Sequence, residues 1–575
     1  MVFPHAVIDF RADDDLPALR LAFDGPIREL FAWSPREVRA VLAEVDAAAR
    51  SGLWCVGYLR YEAAAAFEPR AALHPADGPL AYFSLHDRQA AFPDLRLEHA
   101  GDLRWRSATD RAGFDAAMAK IHAAIAQGEI YQVNYTTELA ADYQDDAFPL
   151  FCALQRAQGQ SNAAYLANRE ETVLSVSPEL FFDWHQGTLH CRPMKGTAAR
   201  GATPELDERN ARQLQRSAKE RAENVMIVDL IRNDLSRVAQ LGSVRVPSLF
   251  ECRPWPTVWQ MTSTVVARSR PQATLPDVFE ALFPCGSVTG APKLRAMHWI
   301  RELEPRPRGV YCGAVGVVQP GGAARFNVPI RTVVLRDGRA SCGVGSGITA
   351  DATAEGEWAE WTNKAQFLQQ ASRAFRLLQT IRREDGQWRH LELHLDRLAQ
   401  AALQFGFAFE RQAVRAALED AASGRASGRV RVTVDVRGAV EVQIAELPRP
   451  PGQPLPVALA PGPVSAPAAF LRHKTTRREH YEGLPADTAA AFDTLAWNAH
   501  GEVTEFTRGN VIVERADGQR VTPPLHCGLL DGVGRAQALA TGAAREAVVR
   551  VEDLASARAL WFVNALRGWL PVYLN

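Results

Sequence analysis

Short apolar runs separated by glycine-containing turns alternate with longer amphipathic stretches along the first two thirds of the chain. Apolar and polar residues alternate within many of these runs, which is typical of β-strands, and turns such as QPGGAA and RDGRA join neighbouring runs. Predicted strands cover residues 171–184, 242–250, 309–319, 324–335 and 339–349, and predicted helices cover 110–128, 205–240 and 354–380. Strands grouped in this way indicate an α+β fold with antiparallel sheets rather than a doubly wound one.

After about residue 375 the pattern predicts a small α+β segment, a proline-rich stretch and a second α+β segment. Eight prolines lie between residues 446 and 467, which is typical of an extended linker. We therefore expect a linker at 448–464 between subdomains at about 373–447 and 465–575. No flexible stretch marks the start of this region, so dividing the chain into domains at 1–372 and 373–575 depends on the motifs described below.

Composition excludes several classes of protein. The 575 residues suggest about four domains, and 47% of them are hydrophobic, which is enough for large cores. A formal net charge of −1 argues against nucleic-acid binding and against binding to a membrane surface. No apolar run reaches the roughly 20 residues of a membrane span, and the N-terminus lacks a signal-peptide pattern. We expect a cytoplasmic protein.

The spacing of the cysteines also favours a cytoplasmic protein. Eight cysteines are scattered from Cys55 to Cys527 without a C-x-x-C spacing, which fits reduced thiols better than disulfides or a zinc site. Cys285 lies in a glycine-containing loop, where a small loop residue is the better interpretation than a nucleophile.

Two pairs of glutamates are the first candidates for chemistry. Glu220 and Glu223 are three residues apart on a predicted helix, as are Glu357 and Glu360, so each pair shares a helix face. Two like charges on one face are unfavourable unless a cation joins them, and carboxylate oxygens suit Mg²⁺. On spacing alone, the alternative of two solvated helix faces stays open.

A glycine- and threonine-containing loop before a predicted helix is the second candidate. In LFPCGSVTGAPKLRAMHWI, residues 282–300, Lys293 begins the helix, and loop N–H groups with a helix N-terminus favour anions. The segment lacks the P-loop pattern, so a carboxylate is as suitable a ligand as a phosphate. A tight turn before a helix, without a ligand, explains the same residues.

Longer motifs follow one another in a fixed order. They are QGEIYQVNYT, SPELFF, RPMKGTAARG, KERAENVMIVDLIRNDLSRVA, FPCGSVTGAPKLRAM, YCGAVG, FNVPIRT and GVGSGITADATAEGEWAEWTNKA. In this order they resemble the chorismate-utilising enzymes, a family that includes anthranilate synthase, aminodeoxychorismate synthase component I and the isochorismate and salicylate synthases. The resemblance covers about residues 50–370 and implies a large antiparallel-sheet α/β sandwich with chorismate between the sheets.

The same resemblance implies roles for individual residues. It implies a Mg²⁺ site formed by Glu220, Glu223, Glu357 and Glu360 and bridged to a carboxylate of chorismate. It also implies contacts to substrate carboxylates from Gly290, Ala291, Gly345, Ser346, Gly347 and Lys364, and a substrate lining that includes Thr289, Tyr311 and Arg331.

Lys195 separates two branches of the family. Members that resemble anthranilate synthase have a small residue in the P-x-x-G-T motif, whereas members that resemble aminodeoxychorismate synthase have lysine, as in PMKGT here. The resemblance implies that a neutral Lys195 amine adds at C2 of chorismate while the C4 hydroxyl leaves, after which ammonia attacks C4 and expels the lysine. Glu179 matches the general acid for the departing hydroxyl.

Two glutamines and one missing motif refine this expectation. Gln132 stands where isochorismate-forming members have a lysine that activates water, which disfavours water as the nucleophile. Gln260 stands where anthranilate synthases have histidine, which weakens any claim that this domain eliminates pyruvate. No G-x-C-x-G glutaminase motif is present, so we expect ammonia from a separate glutamine amidotransferase subunit or from solution.

The second region carries its own ordered landmarks, HLELHLDRL, LRHKTTRREHY, GEVTEFTRGNVIV, PPLHCGLLDGVGRAQAL and FVNALRGWLPV. They resemble the fold-type IV pyridoxal phosphate enzymes, which include branched-chain and D-amino acid aminotransferases and aminodeoxychorismate lyase. The resemblance implies two α+β subdomains and pyridoxal phosphate as cofactor, and it allows a homodimer formed through this domain. It implies Lys474 as the Schiff-base lysine, Glu505 at the pyridinium nitrogen, Arg397, Gly532 and Val533 at the phosphate, and Asn510 as a lesser candidate.

This region also departs from its family. It lacks about thirty N-terminal residues that are common there, and Gln379 in LLQTIR stands where the lyases have a helper threonine. A slow or degenerate lyase is therefore one expectation.

Together the two resemblances imply consecutive reactions. The first domain would convert chorismate to 4-amino-4-deoxychorismate, and the second would eliminate pyruvate to give 4-aminobenzoate, a folate precursor. The alternative is an anthranilate synthase-like first domain joined to an amino-acid aminotransferase or to a non-catalytic docking domain.

Overall fold

The computed structural model describes residues 3–12, 16–98, 101–159, 161–199, 204–254, 258–448, 452, 454–466, 468–486, 488 and 491–575. The chain forms two compact units, Met1–Arg373 and Ala374–Asn575. No helix among the described residues is both long enough and apolar enough to cross a membrane.

Strands predominate in the first unit. They are β1 Ala6–Phe10, β2 Leu19–Phe23, β3 Arg28–Ala32, β4 Trp54–Leu59, β5 Ala81–His86, β6 Arg106–Ser107, β7 Gln132–Asp142, β8 Asn162–Ala167, β9 Thr172–Ser177, β10 Leu180–His185, β11 Thr188–Arg192, β12 Met194–Ala199, β13 Arg245–Pro254, β14 Val258–Arg268, β15 Gly290–Ala291, β16 Ala314–Val318, β17 Ala324–Asn327, β18 Thr332–Arg336 and β19 Arg339–Ile348. The helices are α1 Pro35–Arg50, α2 Arg111–Ala126, α3 Ala147–Gln158, α4 Pro204–Arg216, α5 Ala218–Ser236, α6 Leu275–Leu282, α7 Lys293–Leu303 and α8 Ala354–Ala371.

These strands form two large sheets. One has the order β15-β7-β19-β18-β9-β8-β1-β2 with β6 beside β7, and the other has the order β12-β14-β11-β10-β17-β16-β4-β5-β3 with β13 beside β14. The strand pairings of both sheets are antiparallel. Ile8 and Phe10 of the first sheet share a buried cluster with Val56 and Val317 of the second, so the sheets pack face to face. This confirms the predicted α+β class and antiparallel sandwich.

Helices cover the outer faces of the sandwich. Helix α1 begins in a capping box between Ser34 and Glu37, has Pro35 at its first position, and buries Val38, Leu42 and their neighbours one turn apart. Helices α1, α5 and α6 contribute to the core on one sheet, and α3 and α8 contribute to the core on the other. Helices α5 and α8 are those that carry the paired glutamates.

Two predicted helices of the first unit have different bounds in the structure. The helix predicted at 205–240 is two helices, because the Ser217 hydroxyl accepts a hydrogen bond from the Glu220 amide (3.3 Å) and caps the start of α5. The helix predicted at 354–380 ends at Ala371, and a strand begins at Leu377. Leu377, Gln379 and Ile381 are the most deeply buried residues of this segment and lie at every second position, which is the period of a strand.

The second unit contains two sheets. Its strands are β20 Leu377–Glu384, β21 Gln387–Trp388, β22 Gly428–Val434, β23 Val440–Ala445, β24 Leu455–Leu459, β25 Asp493–Trp497, β26 Val503–Phe506, β27 Gly509–Glu514, β28 Arg520–Thr522, β29 Arg545–Glu546, β30 Ala559–Asn564 and β31 Gly568–Leu574, and its helices are α9 Leu391–Phe405, α10 Arg411–Ala421, α11 Ala468–Arg472 and α12 Val533–Ala540. The orders are β21-β20-β22-β23 and β26-β25-β24-β31-β30-β27-β28-β29.

The proline-rich segment is not a linker throughout its length. Residues 449–451 and 453 of the linker predicted at 448–464 lie outside the described residues, but Leu455–Leu459 is strand β24, paired in parallel with both β25 and β31. Leu455 and Val457 are buried in the core of the second sheet. The number of prolines concealed this short alternating apolar pattern, so the second subdomain begins before residue 465.

Candidate active sites

Four glutamates of the first unit come together where α5 and α8 approach each other. Burial raises the pKa values of Glu220, Glu223 and Glu357, and the charges of neighbouring glutamates in the set raise them further. Burial also opposes the ionisation of Glu360, but Lys364 and the nearby lysines outweigh it and lower the pKa of Glu360. These carboxylates influence one another from two different helices, which argues against two independent solvated faces.

The glutamate set fits a hard divalent cation by its chemistry. All four side chains offer oxygen ligands, and mutual repulsion among them is relieved by a cation. The Glu357 Oε2 atom is buried and has no hydrogen-bond partner among the described residues. In the described part of the chain, no three His, Cys, Asp or Glu groups stand in metal-binding geometry. The four carboxylates are therefore neighbours in this structure without forming a coordination shell. One Glu360 oxygen is instead paired with Lys364 Nζ at 2.7 Å.

Lys195 faces this cluster from β12. Lys195 lowers the pKa values of Glu179, Glu220, Glu223 and Glu360, so its Nζ atom lies near all four carboxyl groups. Gly347 of β19 leaves the space that Lys195 occupies, because a Cβ atom built on Gly347 would lie 2.9 Å from Lys195 Nζ. This position argues against an incidental charge at a strand end.

Glu179 is a buried acid in the short connection between β9 and β10. Burial raises the pKa of its carboxyl to about 7, although Ser287 and the charges of Lys195 and Lys364 act in the opposite direction. Its Oε1 atom has no hydrogen-bond partner among the described residues. A carboxyl group with this pKa holds its proton through mildly acidic pH, as a general acid needs.

Replacing Glu179 with glutamine should change the pH dependence of stability. The folded-state pKa is raised from 4.5 to about 7, so stability is fully present below pH 4.5 and is lost as the pH rises through 7. The loss amounts to about 3 kcal/mol, at 1.36 kcal/mol per pKa unit. In Glu179→Gln this loss should disappear. The measurement is the free energy of unfolding in urea at pH 4 and pH 8 for the wild type and Glu179→Gln, with hydrogen exchange of β9 as the local probe of unfolding. An equal pH dependence in the two proteins would show that Glu179 titrates normally.

The strands around β7 carry most of the residues predicted to hold carboxylates. Gly290 and Ala291 form β15, which pairs with Val133 and Gln132 of β7, and β19 lies on the other side of β7. Of the other residues predicted to hold carboxylates, Lys364 Nζ donates to the Gly345 carbonyl (3.0 Å), and Ser346 accepts from Trp361 Nε1 (3.1 Å) and is hydrogen-bonded to Glu357. Of the predicted substrate lining, Tyr311 is buried against Gly343, and Thr289 is fully buried in the loop before β15.

Three cations near the site are already paired in the structure. Lys293 Nζ lies 2.6 Å from Asp234 Oδ2 and donates to the Pro284 carbonyl (2.9 Å), which supports a structural role for this lysine rather than a free anion-binding charge. Arg331 donates to the Gln158 side chain at the end of α3, and its assignment to the substrate lining stays a prediction. Arg192 donates to Thr264 Oγ1 (3.3 Å).

Cys285 is fully enclosed beside the same loop. Burial raises the pKa of its thiol to about 12, which keeps it protonated and a weak nucleophile. Its Sγ atom lies 3.2 Å from Ser287 Oγ. The prediction that it is a small loop residue agrees with this environment.

The second unit has a separate cleft with Lys474 at its wall. The cleft is lined by side chains from the loop after α11 and from β26 and β27, including Arg478, Tyr481 and Glu505. Burial lowers the pKa of Lys474 to about 7, and the charges of Arg478 and Arg397 act in the same direction. A lysine in this state is partly neutral at physiological pH, as attack on an aldehyde requires. Lys474 is also the sole lysine in residues 374–575 of the sequence.

Glu505 is held firmly in the same cleft. One oxygen accepts from Tyr481 Oη (2.7 Å) and from the Leu530 amide (3.0 Å), and the other lies 3.4 Å from Asn510 Nδ2. Burial raises the pKa of Glu505 to about 7. A buried carboxylate beside a lysine fits the protonated ring nitrogen of pyridoxal phosphate, which would supply the missing charge partner.

Arg397, Gly532 and Val533 meet at the start of α12. Gly532 caps this helix and Val533 is its first residue, so the backbone amides at this end are placed to donate to an anion. Arg397 donates to the Asp531 carbonyl (3.2 Å) and to Gln379 Oε1 (2.5 Å), and its Nε has no hydrogen-bond partner among the described residues. A buried guanidinium with an unused donor fits a phosphate group.

Sequence reasoning missed several side chains that build these sites. Ser287 hydrogen-bonds Glu179, Lys219 contributes charge to the glutamate set, Tyr481 holds Glu505, and Arg478 lies beside Lys474. The rarity of lysine in the sequence was an available signal for some of them. The chain has six lysines, at positions 120, 195, 219, 293, 364 and 474, and its other basic side chains of this kind are arginines. Five of the six interact with a carboxylate described above.

Comparison with known proteins covers both units. Residues 93–370 match the family described as chorismate binding enzyme, and residues 376–574 match the family described as amino-transferase class IV. Aminodeoxychorismate synthase component 1 of Klebsiella aerogenes is 42% identical over 260 residues, which is 45% of this chain and 58% of that protein. Anthranilate synthase component 1 of Aquifex aeolicus is 36% identical over 287 residues, 50% of this chain and 58% of that protein. The chain thus spans less than two thirds of these relatives.

A solved structure agrees with the fold of the first unit. The crystal structure of anthranilate synthase component I from Streptococcus pneumoniae has a TM-score of 0.52 and 24% identity, covering 64% of this chain and 90% of that one. Residues 93–370 thus carry a chorismate binding domain, and residues 376–574 carry a class IV amino-transferase domain.

Proposed function

We propose that this protein makes 4-aminobenzoate from chorismate in two steps, one in each unit. The first unit replaces the C4 hydroxyl of chorismate with an amino group, using ammonia from a separate glutamine amidotransferase or from solution. The second unit removes pyruvate from the resulting 4-amino-4-deoxychorismate with the help of pyridoxal phosphate. The observation that carries the proposal is Lys195, which lies among the glutamates and opposite Gly347, where a cation held by the glutamates would bind a substrate carboxylate.

Lys195 and Glu179 are suited to the exchange of groups at C4. The Lys195 amine forms a bond to C2 of the substrate and loses a proton, the ring double bond shifts, and the C4 hydroxyl leaves as water with a proton from Glu179. Ammonia then attacks C4 and loses a proton, and the bond between C2 and Lys195 breaks with return of its electron pair and a proton to the amine. The buried, protonated state of Glu179 supports its role as the acid.

Mg²⁺ bound to the four glutamates would supply a positive charge that fixes a substrate carboxylate. Glu220 and Glu223 would hold it from α5, and Glu357 and Glu360 would hold it from α8. Lys364 is near enough to act on both Glu360 and Glu179, so it connects the carboxylate cluster with the acid.

Mg²⁺ should stabilise the folded chain through these glutamates. At a free concentration 100 times its Kd, a ligand that binds only the folded state adds about 2.7 kcal/mol of stability. We expect this increase in the unfolding free energy of the wild type and its loss in Glu357→Ala, measured by urea unfolding with and without Mg²⁺. Glu355→Ala is the matched control, because Glu355 is exposed on the same helix and pairs with Arg111. An equal response in Glu357→Ala and in the control would contradict the site.

Gly347 should tolerate no larger side chain. A Cβ atom at this position would lie 2.2 Å from Gln132 Nε2 and 2.9 Å from Lys195 Nζ, so both groups must move in Gly347→Ala. A displacement of this size at a reacting group lowers the rate of amination by about 100-fold. Gly25→Ala is the control, because a Cβ there meets nothing within 4 Å. Initial rates with chorismate and ammonium test this, and equal rates for the two variants would contradict it.

In the second unit, pyridoxal phosphate would supply an electron sink for the charge that develops at C4 of the substrate. Lys474 is suited to remove the C4 proton, because its lowered pKa leaves a neutral amine at physiological pH. Pyruvate then leaves from C3 and the ring becomes aromatic. Glu505, held by Tyr481 and the Leu530 amide, would pair with the protonated ring nitrogen of the cofactor, whose positive charge would favour the ionised carboxylate.

Product analysis with and without pyridoxal phosphate tests the proposal. Chorismate, ammonium and Mg²⁺ should give 4-amino-4-deoxychorismate without the cofactor and 4-aminobenzoate with it. Accumulation of 2-aminobenzoate would instead identify a first unit with anthranilate synthase activity. Accumulation of 4-amino-4-deoxychorismate under both conditions would restrict the proposal to the first unit and leave the second as a docking module or an aminotransferase.

A further inference from the structure

Lys195 lies in a β-bulge. In the pairing of β12 with β14, Met194 is opposite Thr262 and Thr197 is opposite Gln260, so Lys195 and Gly196 share the single position opposite Met261. A bulge of this kind redirects the side chain that it carries. Gly196 has a φ of +86°, which glycine adopts without strain.

The side chain of Gln260 spans this bulge. Its Nε2 donates to the Gly196 carbonyl (3.0 Å), and its Oε1 accepts from Thr197 Oγ1 (3.5 Å). The bulge takes the Gly196 carbonyl out of the regular ladder, and the Gln260 amide gives it a donor. On its other side Gly196 lies against the glutamate set, because a Cβ built there would be 2.8 Å from Glu220 Oε2.

We propose that Gln260 is a positioning residue for Lys195: its side-chain amide holds the Lys195–Gly196 bulge in place and so directs the Lys195 amine toward the glutamate cluster. This inference rests on the proposed function of Lys195 as the nucleophile. Without the amide, the Gly196 carbonyl has lost the donor that favours the bulge over a regular pairing. A shift of register by one residue turns a side chain to the opposite face of a sheet, which for Lys195 means away from the cluster.

An amide suits this role for an electrostatic reason. The bulge carries Lys195, and its Gly196 lies against Glu220, so an additional charge at the bulge would alter both the amine and the carboxylates. Gln260 supplies one donor and one acceptor and stays neutral at every pH. It therefore holds the backbone without changing the balance of charge around the amine.

Gln260→Met tests the inference, because methionine keeps the length of the side chain and lacks the donor. The matched control is Gln240→Met, since Gln240 Nε2 makes the same kind of bond to the Ser269 carbonyl (2.9 Å) just beyond the far end of β14. The rate at which Lys195 is acylated in the absence of substrate is measured by mass spectrometry. The rate at the exposed Lys120 in the same sample is the internal reference. Steady-state amination of chorismate gives kcat and KM.

Loss of one hydrogen bond shifts an equilibrium by about fivefold. In Gln260→Met we therefore expect Lys195 to be acylated about fivefold faster relative to Lys120, and kcat to fall while KM stays within about twofold. Gln240→Met should match the wild type in each measurement. Unchanged acylation of Lys195 in folded Gln260→Met would overturn the inference, whatever happens to kcat.

The acylation result also stands apart from the proposed function. If the protein does not aminate chorismate but Lys195 becomes more reactive in Gln260→Met, the positioning role holds and only the reaction assigned to Lys195 fails. Gln260→Asn, whose shorter amide does not reach both the Gly196 carbonyl and the Thr197 hydroxyl, gives the same readouts if Gln260→Met does not fold.

Discussion

Lys195→Ala is expected to lower the rate of C4 amination by about 1,000-fold or more, because the variant has no amine to form the bond at C2. The effect should appear in kcat, since Lys195 would act on the reacting carbon of chorismate. The carboxylates of chorismate would be bound instead by Lys364 and by the Mg²⁺ on the glutamates. Initial rates of product formation from chorismate, ammonium and Mg²⁺ give the measurement, and a mass increase on wild-type protein during turnover that is absent from the variant gives a second, direct one.

Lys120→Ala is the matched control, because Lys120 is exposed on α2 and lies outside the carboxylate clusters. It should retain the rate of the wild type. Turnover in Lys195→Ala within a few fold of this control would remove the covalent route and leave Lys195 as an electrostatic group among the glutamates.

Lys474→Ala is expected to abolish formation of 4-aminobenzoate while amination of chorismate continues at the rate of the wild type. No other lysine exists in residues 374–575, so no second amine in this unit replaces the lost one. The rate of pyruvate elimination should fall by about 1,000-fold or more, since both cofactor attachment and proton removal depend on this side chain. Intermediate should then accumulate in place of 4-aminobenzoate.

Absorbance gives a readout of Lys474 that does not depend on turnover. The wild type mixed with pyridoxal phosphate should develop a protein-bound absorption band that survives gel filtration, and Lys474→Ala should lose it. Formation of the band in the wild type should become faster as the pH rises through about 7, because the neutral amine of Lys474 is the reactive form. A persistent band in the variant would show that the cofactor is held elsewhere.

The layout of the first unit was largely predictable from the sequence. Its alternating apolar strands and hairpin turns indicated antiparallel sheets, and the paired glutamates 220/223 and 357/360 indicated shared helix faces. Both follow from short-range periodicity, which a single sequence displays. The proximity of the glutamates on α5 to those on α8 depends instead on segments more than a hundred residues apart in sequence, and only the ordered motifs implied it.

The features that escaped prediction depend on contacts distant in sequence or on competing local signals. Lys293 pairs with Asp234 rather than with a ligand, and no local pattern connects residues 59 positions apart. Strand β24 was concealed because prolines normally mark a linker, although Leu455, Val457 and Leu459 alternate correctly for a strand. The narrow space at Gly347 and the bulge at Lys195 require the register of β7, β19, β12 and β14, which the sequence does not specify by itself.

The position of nitrogen in the product tests the central claim most directly. Wild-type protein is incubated with chorismate, ¹⁵N-ammonium, Mg²⁺ and pyridoxal phosphate, and the aromatic product is examined by NMR. The two-step account predicts ¹⁵N on the carbon para to the carboxylate, in 4-aminobenzoate. Nitrogen on the ortho carbon, in 2-aminobenzoate, would contradict it.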